Sequence, residues 1–351
     1  MNNNDEKTEI NLYTSKERYL DDLIRDLRNH PGLLRKQNIG SLLEILPQPQ
    51  AISKRIFADF GEDSALIIQN ADNIILFHSD AIVEPLVERN PYGAGMSCVL
   101  VNVNDIFAAA GTPVALTCIV SYKNDTQGGE IARQLMAGAA KAVHLFQVPI
   151  VGGHTASKCS YNAISMSCIG IGKRDQILKS STARPGDLIL AAVDLVGQRG
   201  AAYRLGWDCF TFKTSYEVLT PRNAMIEIGK RQLATASKDS SNPGILGSIA
   251  MLLEASGRGG IIQIEAIPRP DSVPLREWVK MFISTGFILT CPENNATECL
   301  QVLKKGGLTA KIVGQVLEAS CVYLANKEGE QELFFDFSKE SIFGSPLKSP
   351  R

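Results

Sequence analysis

Between Gly61 and Thr155 this chain sets carboxylates against apolar segments, where an unpaired charge is costly. Any fold it adopts must therefore bring those carboxylates a shared counter-charge. Asp63 lies in Gly61-Glu62-Asp63-Ser64-Ala65, just ahead of the apolar run Leu66-Ile67-Ile68. Asp80 follows Ile74-Ile75-Leu76-Phe77, and Asp105 sits inside the apolar stretch from Val99 to Ala110. A glycine pair, Gly152-Gly153-His154-Thr155, closes the region after Val148-Pro149-Ile150-Val151. Oxygen-only ligands of this kind suit a hard cation, Mg²⁺ first, held together with the phosphates of a nucleotide.

Local patterns say how such residues meet. Ala65 to Ile68 and Ile74 to Ser79 read as two strands around an Asn-Ala-Asp-Asn turn, a hairpin whose outer ends carry Asp63 and Asp80. In an antiparallel pair those ends are neighbours. A helix is expected over 94–110, stopped by Gly111-Thr112-Pro113, with Asn102 and Asp105 three apart on one face. A strand over 115–121, a helix over 127–146, and a strand, glycine turn and strand through 149–171 follow. Ahead of all this, Thr14-x-x-Glu17 is a capping box for a helix bearing Tyr19, Leu20, Leu23, Ile24 and Leu27. The front piece has no motif of its own, so packing or covering a site is its expected task. After a breaker-rich turn at 183–187, helices over 222–233 and 245–255 flank the loop 238–244. A strand over 286–291, a helix to about 305 and strands over 310–316 and 321–324 complete the second half.

A chain of 351 residues supports two domains, divided here as a helical extension over 1–50, a first domain over 51–182, a second over 183–336 and a disordered tail over 337–351. With 36 basic and 37 acidic side chains and no basic stripe, nucleic acid is not an expected partner. No apolar run is long enough for a bilayer, and the start lacks a signal-peptide pattern, so the cytoplasm is the expected location and no membrane partner is expected. The eight cysteines form no Cys-x-x-Cys pair and read as reduced thiols, with Cys159, in a polar loop, the one to test for reactivity.

Five motifs together resemble the superfamily of aminoimidazole ribonucleotide synthetase, selenophosphate synthetase and thiamine-monophosphate kinase. They are Gly61-Glu62-Asp63-Ser64-Ala65, His78-Ser79-Asp80, Val101 to Pro113, Gly152-Gly153-His154-Thr155, and Lys238-Asp239-Ser240-Ser241-Asn242-Pro243-Gly244. The resemblance implies an α+β chain of two α/β domains, the second an α/β sandwich, dimerising through the sheet of the first. ATP and Mg²⁺ would lie in a groove between that domain and the partner subunit. By position it makes Asp63, Asp80, Asp105 and Asp239 metal ligands, and Asn102, Gly152, Gly153, His154 and Thr155 nucleotide contacts. It implies ATP-dependent phosphoryl transfer to a small polar metabolite as acceptor, with no catalytic side chain assigned. Against selenophosphate synthetase, no cysteine precedes Cys98; against thiamine-monophosphate kinase, Ser284-Thr285-Gly286 stands where an acidic motif belongs.

Plainer readings stand beside these. Asp63 could form a turn, Asp239 could pair with Lys238 at the surface, and His154 could be a turn residue. His78 and His144 read as packing or surface residues, and Arg184, Arg199 and Lys238 as cations that could meet phosphate. A kinase acting on thiamine monophosphate, or an ATP-binding accessory protein without turnover, are the rival functions. The glutamate at 62 and the missing acceptor-side motifs motivate the latter.

Overall fold

The computed structural model describes residues 19–344. Its first sheet has six strands, β1 (Ile56–Ala58), β2 (Ala65–Ile68), β3 (Asn73–Ala81), β4 (Thr112–Lys123), β5 (Ile150–Cys159) and β6 (Ala163–Lys173), in the order β1-β2-β3-β6-β4-β5. All neighbours are antiparallel except β4 and β5. Alternation along these strands decides what each face does. Ile74, Leu76, Leu116, Val120, Ile164 and Met166 are buried on the inner face. Phe77, Val114, Ile119, Ile169 and Ile171 lie exposed on the outer one.

Two long helices cover the inner face. The first, residues 91–108, opens on Asn90, whose side chain accepts the Gly93 N–H at 3.0 Å, with Pro91 already set for helical φ. The second, residues 126–146, is capped by Asp125, which accepts the Gly128 N–H at 2.6 Å. They touch almost backbone to backbone. A Cβ on Gly95 would stand 1.9 Å from the Leu135 carbonyl oxygen, and one on Gly138 would stand 1.9 Å from that of Tyr92. No larger residue fits at either position.

The second sheet is built from β7 (Leu188–Val193), β10 (Ala236–Asp239), β11 (Gly259–Gln263), β13 (Gly286–Cys291), β14 (Thr309–Leu317), β15 (Cys321–Ala325) and β16 (Gln331–Asp336), in the order β10-β13-β7-β14-β11-β15-β16. A small third sheet joins β8 (Gln198–Arg199), β9 (Gly206–Asp208) and β12 (Phe282–Ile283). Helices over 215–230 and 293–305 pack on one face of the large sheet, and the largely apolar helix over 244–255 packs on the other. The helix over 19–28 sends Leu20, Leu23, Ile24 and Leu27 into this second core, so the front piece is joined to the second unit. Its capping box at Thr14 lies outside the described residues.

Arg222 fastens the two units. It is fully buried, and its guanidinium donates to Asn104 Oδ1 at 2.9 Å, the Val218 carbonyl at 2.6 Å and the Ser284 carbonyl at 3.2 Å, 4.7 Å from the Phe146 ring centre. Burial lowers its pKa to about 10, so it stays charged at neutral pH.

Several expectations are corrected. Residues 152–155 form no turn; they lie within the edge strand β5, parallel to β4, where Gly153 faces the Cys118 carbonyl too closely for any Cβ. Lys238 and Asp239 belong to a strand, not a loop. The helix expected over 222–233 runs Ser215–Lys230, because the Thr214/Glu217 capping box starts it earlier and Pro221 is accommodated inside. The tail was expected to be disordered from 337, yet Ile342 and Phe343 are buried and the segment to 344 is fixed by Glu254, which accepts Ser341 Oγ at 2.5 Å and the Ile342 N–H at 3.0 Å. Two anchoring side chains are too few to show as periodicity. Residues beyond 344 lie outside the described part. No helix among the described residues is long and apolar enough to cross a membrane.

Candidate active site

Three elements deliver three carboxylates to one point. Asp63 stands just before β2, after Gly61 turns the chain at φ +102°. Asp105 comes from the inner side of helix 91–108, and Asp239 ends β10 of the second unit. All three are buried, and one oxygen of each lies within 4.8 Å of the others. Asp63 Oδ2 accepts the Asp239 N–H at 2.9 Å, which stitches the first unit to the second at the site itself. Lys238 is the resident cation. Its ammonium donates to Asp63 Oδ1 and stands 3.2 Å from Asp239 Oδ1. Ser241 Oγ donates to the same Asp239 oxygen at 2.7 Å.

The electrostatics are those of a site short of positive charge. Burial pushes the Asp105 carboxyl well above the ordinary range, and the charges of Asp239 and Asp63 push it further. Burial raises Asp63 as well, against the pull of Lys238. At Lys238 burial favours the neutral amine, but Asp63, Asp239 and Asp105 together outweigh it and hold the ammonium more firmly than in a free lysine. Three ionised carboxylates facing one ammonium leave two negative charges, the charge of one divalent ion. The donor set is oxygen only, which is what a hard cation takes. Next in sequence to two of the carboxylates, Ser64 Oγ and Ser240 Oγ are buried with no hydrogen-bond partner among the described residues.

The cluster opens into a cavity of ≈ 1060 Å³ whose walls come from both units, from the small third sheet and from the front segment. Asp80 lines it and is exposed, near the cluster but outside the group of three. The β2–β3 hairpin pairs Ala65 with Phe77 and so does bring the two ends together, as the sequence implied. Asn102 is fully buried. Its Oδ1 accepts the Asp80 N–H at 3.1 Å and its amide donates to the Cys98 carbonyl at 2.8 Å, so within this chain it holds Asp80 in position. Gly152, Gly153, His154 and Thr155 lie on β5 and do not line this cavity.

Sequence reasoning missed His78. Its Nδ1 meets the Asp63 carbonyl oxygen at 2.5 Å, and Nε2 lies 3.3 Å from Asp105 Oδ2. Burial depresses its pKa, and its hydrogen bond to the Asp63 carbonyl braces that residue beside Asp105. The signal was available, since residues two apart on a strand share a face and His78 precedes Asp80 by two. Glu62 does not join the cluster. It turns to the segment between the units, accepting the Ser180 N–H and Ser181 Oγ, each at 2.5 Å. Lys238 was weighed as one side of a surface pair; its side chain is only 12% exposed and pairs with Asp63 as well.

Comparison with known proteins agrees with this geometry. The AIR synthase related protein N-terminal domain matches residues 61–173 and the corresponding C-terminal domain matches 184–324. An uncharacterised protein of Methanocaldococcus jannaschii is 38% identical over 323 residues, 92% of this chain and 98% of that protein. The thiamine-monophosphate kinase of Pyrococcus abyssi is 28% identical over 287 residues, 78% of this chain and 87% of its own length. Among solved structures, T. maritima PurL complexed with ATP superposes with a TM-score of 0.67 at 17% identity, which shows a shared fold. The match covers 90% of this chain and 54% of that one, so this chain spans about half the length of PurL. On the paired domains and the near full-length relative, the chain belongs to the AIR synthase related protein family.

Proposed function

We propose that this chain binds Mg²⁺ and ATP at the Asp63, Asp105 and Asp239 cluster and uses the terminal phosphoryl group to phosphorylate, or to activate by phosphorylation, a small polar acceptor lodged in the adjoining cavity. The observation that carries the reading is the convergence of three buried carboxylates, from both units, on one point that has a single resident ammonium. A bound divalent ion supplies charge neutralisation to the phosphates. This chain's own groups would do the rest: Asp63, Asp105 and Asp239 would hold the ion, Asp80 lines the cavity beside them, and His78 and Asn102 keep Asp63 and Asp80 in place. No side chain stands as a general base, which phosphoryl transfer tolerates because it rests on positioning and charge. The complex of PurL with ATP and the kinase among the relatives support this reading.

The same reading makes the protein a cytoplasmic homodimer. The outer face of the first sheet carries Val114, Ile119, Ile169 and Ile171 exposed, with no helix among the described residues over them, an apolar surface of the kind a second copy covers. Residues 152–155, on the edge strand of that sheet, then contact nucleotide from the partner's side. Glu62 has a structural task between the units, so it is no sign of lost turnover, and the accessory-protein reading rests on the missing acceptor-side motifs alone. The test is ADP release from Mg·ATP across a panel of small metabolites. A stimulating acceptor whose effect vanishes in Asp239→Asn supports the proposal, and stimulation that persists in that variant overturns it.

A further inference from the structure

The front segment carries no motif, yet the structure presses it against the site from two sides. Gly32 lies against the loop that follows Asp239. A Cβ there would stand 2.8 Å from Pro243 N and 3.0 Å from the Asn242 carbonyl carbon. Gly40 donates its N–H to the Phe343 carbonyl at 2.6 Å, and Gly344 meets the Gln37 carbonyl too closely for a side chain. Residues 32–40 are thus gripped by the acidic loop at one end and by the segment that Glu254 anchors at the other. In the middle of that held stretch is Lys36.

Lys36 lines the same cavity as Asp63, Asp80, Asp105 and Asp239. Its ammonium lies 5.9 Å from the centre of the Phe343 ring, a cation–π contact. Among the described residues it makes no hydrogen bond and no ion pair. Burial and the charge of Lys238 lower its pKa, against the opposing charges of Asp239, Asp80 and Asp105. An ammonium has three donors to satisfy. The cluster carboxylates cannot serve both Lys36 and a divalent ion, and Lys238 already occupies Asp63 and Asp239. A cation held by its own backbone in the wall of the cavity that the carboxylate cluster shares suits a group that the ion brings with it and that has oxygens to spare. The terminal phosphate of a nucleotide is such a group, with one or two oxygens on the metal and at least one left over.

We infer that Lys36 is a nucleotide-binding residue, contributed by the front segment, that donates to an oxygen of the terminal phosphate and so separates triphosphate from diphosphate. The inference rests on the nucleotide reading above and goes beyond it in naming the phosphate and the segment. It also gives the front segment a task, since the clasp between Gly40 and Phe343 sets where the ammonium sits.

The test compares Mg·AMPPCP, a triphosphate analogue, with Mg·ADP by calorimetry on the full chain. Lys36→Met keeps the apolar stem and removes the charge, so it should melt with the parent. It should bind Mg·AMPPCP about tenfold more weakly, the worth of one partly screened charge-assisted hydrogen bond, and Mg·ADP within about twofold of the parent. Lys36→Arg, which keeps charge and donors, should bind the analogue within about threefold of the parent. Unchanged affinity of Lys36→Met for both nucleotides, or an equal loss for both, overturns the assignment while leaving the metal-nucleotide site standing. If the parent protein binds neither nucleotide, the nucleotide reading itself falls, and this inference with it.

Discussion

Replacing Asp105 by asparagine should make the metal-free protein more stable while removing its function. Asp105 is buried, with Asp63 and Asp239 oxygens within 4.8 Å, and among the described residues Lys238 is the one ammonium paired within the three, at Asp63 and Asp239. At that separation and an effective dielectric constant near 20, one pair of like charges repels by roughly 3 kcal/mol. Protonation limits the strain. An aspartate with an ordinary pKa near 3.8 can be protonated at pH 7 for about 4 kcal/mol, so a carboxyl in this position takes up a proton before its strain exceeds that. Asparagine fills the same volume without the charge and escapes most of the cost. The gain should be on the order of 1–3 kcal/mol, or roughly 5 °C for a chain of this size. The assay is thermal melting in EDTA at pH 7, repeated with Mg²⁺ and ATP. The parent should rise on adding Mg·ATP and the variant should not, because a ligand that binds only the folded state raises the melting point by mass action. A variant that melts below the parent in EDTA, or that keeps the full ligand-induced rise, would refute the argument.

Three further outcomes follow from other parts of the fold. Arg222→Ala should lower stability by about 3–5 kcal/mol in denaturant unfolding, since it opens a cavity between the units and leaves the buried Asn104 Oδ1 without its donor; a loss below about 1 kcal/mol would deny Arg222 its fastening role. Glu254 has its pKa raised to about 7, chiefly by burial, so its protonated form favours the folded state and that contribution fades as pH rises through 7. Glu254→Gln should therefore be near neutral at pH 5 and more stable than the parent at pH 8.5 by up to about 3 kcal/mol, with equal melting curves at pH 8.5 counting against it. Ile119→Asp, on the outer face of the first sheet, should convert a dimer to monomers in light scattering, and a dimer that survives it would place the interface elsewhere.

How much of this was legible in the sequence depends on the range of the interaction. The hairpin over 65–79 and the helix bearing Asp105 announce themselves, because turn residues and apolar spacing act within a few positions. That Asp63 and Asp239 share a hydrogen bond across 176 positions is a fact of tertiary packing that no local pattern encodes. The family resemblance placed Asp239 where local reading left it at the surface. The glycine pair at 152–153 reads as a turn, since glycine marks turns and close approaches alike, and only the Cys118 carbonyl beside it tells them apart. His78 was legible by strand alternation and was passed over. Lys36 was not legible at all, because its place is set by Gly32 and Gly40 packing against residues hundreds of positions away.

The central claim is that these carboxylates hold a divalent ion which in turn holds the nucleotide. Titrating ATP into the parent protein by calorimetry, once with Mg²⁺ and once in EDTA, tests it most directly. The account predicts saturable binding in the first titration and no measurable heat of binding in the second; the same affinity in both, or none in either, would contradict it.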